Sequence, residues 1–189
     1  MKAKEILKNV CVYLGKEELL ESGIFESDDV VLDSSQQKEI DKMLASLNLI
    51  TSEIASDYLP IEKQKEITLT EGQINVFDID QSIQEIIAVK RKNGTNVKFK
   101  HTCDKLICLA TNVVVTYKVH PNEITLNSNA ESFGGRLSAR VLAYGVASEY
   151  SYLENLYDDA AIWENRFKNA MLVSSRKKHE VKLKKRGWF

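Results

Sequence analysis

The hydrophobic period of this chain changes twice, and few architectures accommodate such a change. Ile40, Leu44, Leu47, Thr51, Ile54 and Tyr58 recur at steps of four and three, which places them on one face of a long helix running to Pro60. From Lys63 the step becomes two. Ile67 and Leu69, Ile74 and Val76, Ile87 and Val89, then Val113, Val115, Tyr117 and Val119 alternate with polar neighbours, as half-buried strands do. After Phe133-Gly134-Gly135 the helical step returns in two stripes: Ala139, Leu142, Ala143, Val146, Tyr150 and Leu153, then Ala160, Trp163, Phe167, Ala170 and Met171. Glu154-Asn155-Leu156 separates them, so they form an antiparallel helix hairpin with a short loop. An earlier stripe of Ala3, Ile6, Leu7, Val10, Tyr13 and Leu14 stops at Gly15.

This order predicts an α+β fold, mainly a helical bundle, with an antiparallel β insertion between the N-terminal and C-terminal helix pairs and an extended C-terminal tail. The segments are 1–60 (N-terminal helices), 61–127 (β insertion of about six short strands), 128–175 (helix hairpin packing with 1–60) and 176–189 (tail). Local signals refine the picture. Ser34-Ser35 with Gln37, after the acidic stretch Glu26 to Asp33, resembles a capping box for the second helix. Asn93-Gly94, between Val89-Lys90-Arg91 and Val97-Lys98-Phe99, predicts a hairpin with a type I′ turn, and Leu106 to Leu109 predicts a further strand.

Composition removes several classes. The chain has 189 residues, 43% hydrophobic, with a formal net charge of −1, so it has enough apolar material for a buried core and no imbalance typical of disorder. No apolar run reaches the roughly 18 residues of a membrane span. The opening Met1-Lys2-Ala3-Lys4-Glu5 carries both signs, an expectation against a secretory signal. Three irregularly spaced cysteines do not suggest a disulfide framework and fit a reducing compartment.

Candidate chemistry is sparse. His101, Cys103, Cys108 and His120 have the side chains zinc prefers, but no knuckle spacing, so small core or surface residues are the better reading. Asp158-Asp159 reads as a helix start favoured by the dipole rather than as an acid–base pair. Phe133-Gly134-Gly135-Arg136 reads as a helix-start turn rather than an anion site. Trp163 and Phe167, one turn apart, read as core rather than as a base-stacking platform. No catalytic residue, metal or cofactor is expected.

Charge is unevenly distributed. Residues 176–189 hold seven Lys or Arg against Glu180, a local charge of +6, which leaves −7 for the other 175 residues. Within the tail, Val181 and Leu183 alternate with Lys182, Lys184 and Lys185, a pattern suited to laying an extended strand on a sheet edge. Arg186 and Gly187 lead into Trp188 and Phe189, large aromatics of the kind that anchor interfaces.

Leu142-Ala143-Tyr144-Gly145-Val146-Ala147-Ser148-Glu149-Tyr150, Leu156-Tyr157-Asp158-Asp159-Ala160-Ala161 and Trp163-Glu164-Asn165-Arg166-Phe167-Lys168-Asn169-Ala170 resemble the head-to-tail connector (adaptor) proteins of tailed bacteriophages and prophages. Lys184-Lys185-Arg186-Gly187-Trp188-Phe189 is similar to the basic, aromatic end of that group. The order of elements also resembles the related podophage tail tubular (gatekeeper) proteins. The resemblance implies a structural virion protein at the head–tail interface, present in the host cytoplasm during assembly. It implies a homo-oligomeric ring, typically of twelve copies, docked beneath the portal protein and in contact with further neck or tail proteins. DNA would pass through the lumen without specific binding, and no enzyme activity, cofactor or membrane is implied. Val181, Lys182, Leu183, Lys184, Lys185, Arg186, Trp188 and Phe189 would form the portal-docking tail.

Physics is compatible with a ring: a heterologous contact needs no self-complementary patch, many weak tail contacts reinforce one another, and an acidic body does not retain passing DNA. The alternative is a small nucleic-acid-binding protein that grips phosphates with its basic C-terminal tail. It explains the +6 charge but neither the Val181/Leu183 alternation nor the acidic remainder.

Overall fold

The computed structural model describes residues 1–27, 30–131 and 133–175. The fold is α+β. Helix α1 (Ala3–Leu14) buries Ala3, Ile6, Leu7, Val10 and Cys11 on the predicted face, and Gly15 ends it in the left-handed conformation (φ 64°) with its N–H donating to the Cys11 carbonyl. A short helix α2 (Glu17–Glu21), which the sequence reading did not anticipate, buries Leu19. Helix α3 (Ser34–Glu53) does begin with a capping box, but one residue earlier than expected. The Asp33 carboxylate accepts from the Ser35 and Gln36 N–H groups, both at 2.8 Å, and the Gln36 side chain accepts from the Asp33 N–H. An aspartate in extended conformation before the first helical residue satisfies two orphan donors, whereas Ser34 is already helical. A π turn (Ile54–Tyr58) carries the stripe to Pro60.

Helices α5 (Ala139–Leu153) and α6 (Tyr157–Ser175) form the hairpin, turned by Asn155 at φ 61°. Between the π turn and α5 lies the β unit. Helices α1, α3, α5 and α6 share one core, including Leu7, Leu47, Ile50, Leu142, Val146 and Phe167. α3 and α5 approach closely because Gly145 has no side chain. A Cβ there would lie 2.9 Å from Ile50 Cγ2. Some stripe members depart from expectation. Leu153 is 56% exposed because it lies in the last turn of α5, and Trp163 and Ala170, like Tyr13, Leu14, Leu44 and Tyr58 of the earlier stripes, are only half-buried.

Six strands are present among the described residues: β1 (Ile61–Thr68), β2 (Gln73–Asn75), β3 (Ile83–Lys90), β4 (Phe99–His101), β5 (Lys105–Cys108) and β6 (Asn112–Val119), with α4 (Val76–Ile79) between β2 and β3. They make two antiparallel three-stranded sheets, ordered β1-β6-β3 and β2-β5-β4. The sheets enclose a second core of Leu69, Val76, Ile86, Val89, Leu106 and the inward side chains of β6. Ile61 packs against both cores.

Strand β6 buries Val113, Val115, Tyr117 and Val119 as the alternation predicts. Elsewhere the period of two breaks down. In β3 the register shifts between Ile86 and Ala88, so Ile86 and Val89 point inward and Ile87 is exposed. Val76 is buried from the first turn of α4, not from a strand, and β5 stops before the fully exposed Leu109. The turn at Asn93-Gly94 is also not type I′. The Gly94 N–H donates to the Arg91 carbonyl, which makes Lys92 and Asn93 the central pair, and Gly94 alone takes positive φ (83°). Arg91 N–H then bonds the Thr95 carbonyl at 2.9 Å, the arrangement of a type I turn closed by a left-handed glycine.

Among the described residues, no helix is long and apolar enough to cross a membrane.

Candidate interaction site

The predicted docking residues, Val181, Lys182, Leu183, Lys184, Lys185, Arg186, Trp188 and Phe189, lie outside the described residues. The structure does define the place they depart from. Ser175, the last residue of α6, lines a groove of about 760 Å3 at the seam between the helical and β units. One wall is the chain from the π turn into β1. Tyr58 packs edge-on against Phe167 (ring centroids 6.4 Å, 75°), the Leu59 N–H donates to Ile54, and Pro60 redirects the backbone into the sheet. The other wall is a tight turn, Phe133–Gly135, whose three residues all have positive φ (48°, 67° and 74°). Positive φ costs little at glycine but is strained at a phenylalanine, which is held there by burial of its ring, 7% exposed.

That turn was expected to start a helix. It does not: α5 begins after Ser138, and the Phe133 N–H is taken by the Glu131 carboxylate at 3.2 Å. Glu62, Glu131 and Arg136 supply the groove's charges. Beside it, β1 is an edge strand carrying Glu62, Lys63, Gln64, Lys65 and Glu66 in the open, the composition by which natural sheets protect an edge.

A second surface lies across α1, α5 and α6. The rings of Tyr13, Tyr144 and Trp163 stack mutually at 5.1–5.9 Å with interplanar angles of 19–28°. The Arg166 guanidinium sits 4.6 Å from the Trp163 ring centroid and Arg140 caps Tyr144. Trp163 is thus neither core nor a free platform: it is the outer leaf of a stack laid against the core. Sequence periodicity missed this because Tyr144 is off the α5 stripe. A cavity of about 370 Å3 beside the stack is walled by Lys16, Tyr150, Leu156 and Ile162 among others. Burial pulls the Lys16 ammonium down, yet its hydrogen bonds with the side chains of Glu39 (2.8 Å) and Tyr150 hold it above the usual lysine range. Along α6 only Ala160, Phe167 and Met171 are buried, while Ile162, Leu172 and Val173 are exposed, as are Leu156 and Tyr157 at the hairpin tip.

The candidate zinc residues do not converge. Cys108 is buried with its thiol toward the Ala110 carbonyl, Cys103 is exposed, and no group of three or more His, Cys, Asp or Glu suited to a metal occurs among the described residues. Burial, reinforced by Glu39, pushes the Cys11 thiol up to about 12. Asp158 and Asp159 occupy the first turn of α6, where a negative charge suits the helix dipole. Half-buried Glu53 and Glu149 face Glu164, which pairs with Lys168 and accepts from Tyr152.

No family model matches this chain, and a search of curated proteins finds no match.

Proposed function

We propose that this chain is a structural subunit of a phage head-to-tail connector, assembling into a ring beneath the portal and forming part of the DNA conduit to the tail. The observation that carries the reading is the outward face of the α5–α6 hairpin. A 19-residue helix that buries only three side chains and exposes Ile162, Leu172 and Val173 has apolar area left for a neighbour. The hairpin is also where the sequence resembles the connector group. Subunits of a ring meet through unlike faces, so this helix would pack on a different surface of the next copy. The basic, aromatic-ended tail would then dock each subunit on the portal. The role is mechanical and calls for no catalysis.

The test is electron microscopy of purified portal mixed with the full chain. Closed rings seated on the portal are expected, and their loss with Leu172→Asp/Val173→Asp would tie the ring to α6. A chain that stays monomeric with the portal at micromolar concentration would refute the proposal. A DNA-binding assay across a salt series addresses the nucleic-acid reading, which requires affinity that falls steeply as salt rises.

A further inference from the structure

We infer that the groove at the end of α6, together with the free edge of β1, is a docking site for the chain's own segment 176–189. This goes beyond the connector reading and does not depend on it.

Position is the first argument. The segment leaves Ser175 from within the groove wall, the six residues to Val181 reach at most about 20 Å, and the start of β1 (Ile61, Glu62) lines the same groove. The second argument is backbone. In the order β1-β6-β3, β1 pairs on one side only, so a row of its N–H and C=O groups faces outward, as strand addition requires.

Side-chain pattern is the third. Alternate residues of a strand share a face, which puts Ile61 and Ile67 on one side of β1 and Glu62 and Glu66 on the other. The tail alternates in the same sense, Val181 and Leu183 against Lys182 and Lys184. Paired with β1, its apolar side chains continue the Ile61/Ile67 face and its lysines meet Glu62 and Glu66. Lys63 and Lys65, on the isoleucine face, are already drawn to Asp80 and the Ile79 carbonyl, and Lys118, opposite Glu62 in the ladder, is drawn to Glu85, which leaves Glu62 as the edge carboxylate open to a lysine. Glu66 has Lys92 beside it and the groove holds Arg136, so the attraction is moderate and the segment can be displaced. A lone chain would thereby keep the apolar side chains of its tail covered.

The experiment is amide NMR on the full-length chain and on Val181→Asp/Leu183→Asp, each at two concentrations tenfold apart. Both positions lie outside the described residues. The expected result is a change of amide shifts at Tyr58, Ile61, Glu62 and Phe133, with hydrogen exchange along β1 at least about tenfold faster in the variant, independent of concentration. Glu62→Lys/Glu66→Lys should produce the same release of β1. Shifts confined to the tail itself would overturn the inference. So would shifts that appear only at the higher concentration, because the tail would then sit on a second copy. Neither result would touch the connector reading, since a tail free in the lone subunit can still dock on a portal.

Discussion

Gly145→Ala puts a number on how tightly the helical unit is packed. Alanine favours a helix interior over glycine by about 1 kcal/mol, so on propensity alone the change should stabilise α5. The added methyl, however, would lie 2.9, 3.1 and 3.2 Å from Cγ2, Cδ1 and Cγ1 of Ile50, against the roughly 3.5–4.0 Å at which carbons rest. Ile50 is 2% exposed, and Cγ2 sits on a branched Cβ whose rotamer a helix restricts, so the side chain cannot swing aside. The strain falls on the α3–α5 spacing. Overpacking of this kind costs about 1–3 kcal/mol, and three close contacts place it in the upper part of that range. The expected net effect is a loss of about 1–2 kcal/mol, read as a lowered urea midpoint with unchanged m-value by circular dichroism. Ile50→Ala removes all three clashing atoms and costs about 2–5 kcal/mol by itself. The double variant should then be more stable than the sum of the single losses by about 1 kcal/mol or more, because the new methyl fills part of the space that Ile50 vacates. A raised midpoint for Gly145→Ala, or additivity within about 0.5 kcal/mol, would refute the packing argument.

Three further outcomes are expected. Phe167→Ala, at a 3% exposed ring, should cost about 3–5 kcal/mol, and Trp163→Ala, which loses a half-buried stack, should cost less; chemical unfolding ranks them. Ser82, through its hydroxyl and its N–H, and Lys63 hold the Asp80 carboxyl down at about 2, so its contribution is complete above about pH 4 and fades as pH falls toward 2. Asp80→Asn should flatten the melting temperature between pH 4 and 2 relative to the parent. Burial first, then the Glu164 charge, hold the Glu149 carboxyl above the usual range, so its favourable contribution exists at low pH and is lost as pH rises through that value. Glu149→Gln should accordingly melt higher than the parent at pH 7 and alike at pH 4.

Much of the fold was legible in the period of the apolar residues, since burial of one face is what a period encodes. The α1 face and the alternation of β6 were read correctly because neither element contains an irregularity. Ile87 was misread because a bulge moves one residue out of phase, and no side chain in Ile83–Lys90 signals it. Asn93-Gly94 was read as a turn of the wrong type because the dipeptide fits two hairpin loops, and cross-strand pairing beyond the turn decides between them. Of the interaction surfaces, Trp163 was visible as a stripe member but its stacking with Tyr13 and Tyr144 was not, because Tyr13 is on a helix more than a hundred residues away and Tyr144, on the neighbouring helix, is off the α5 stripe. The groove at Ser175 was equally hidden. It is made by the meeting of the π turn, β1 and the Phe133–Gly135 turn, and none of them marks it alone.

The register of β1 on β6 has a bearing on how such a chain changes over evolutionary time. Ile61 is paired with Val119, so the points where the polypeptide leaves the helical unit and comes back to it are neighbours, about 5 Å apart across one rung of a ladder. Seen from the helices, the entire β unit is a single long loop with closed ends. Loop closure becomes only slightly costlier with length, so strands can be gained, lost or exchanged beyond that rung while the helical core keeps its geometry. Such a scaffold can alter what it touches at one end without renegotiating how it packs at the other.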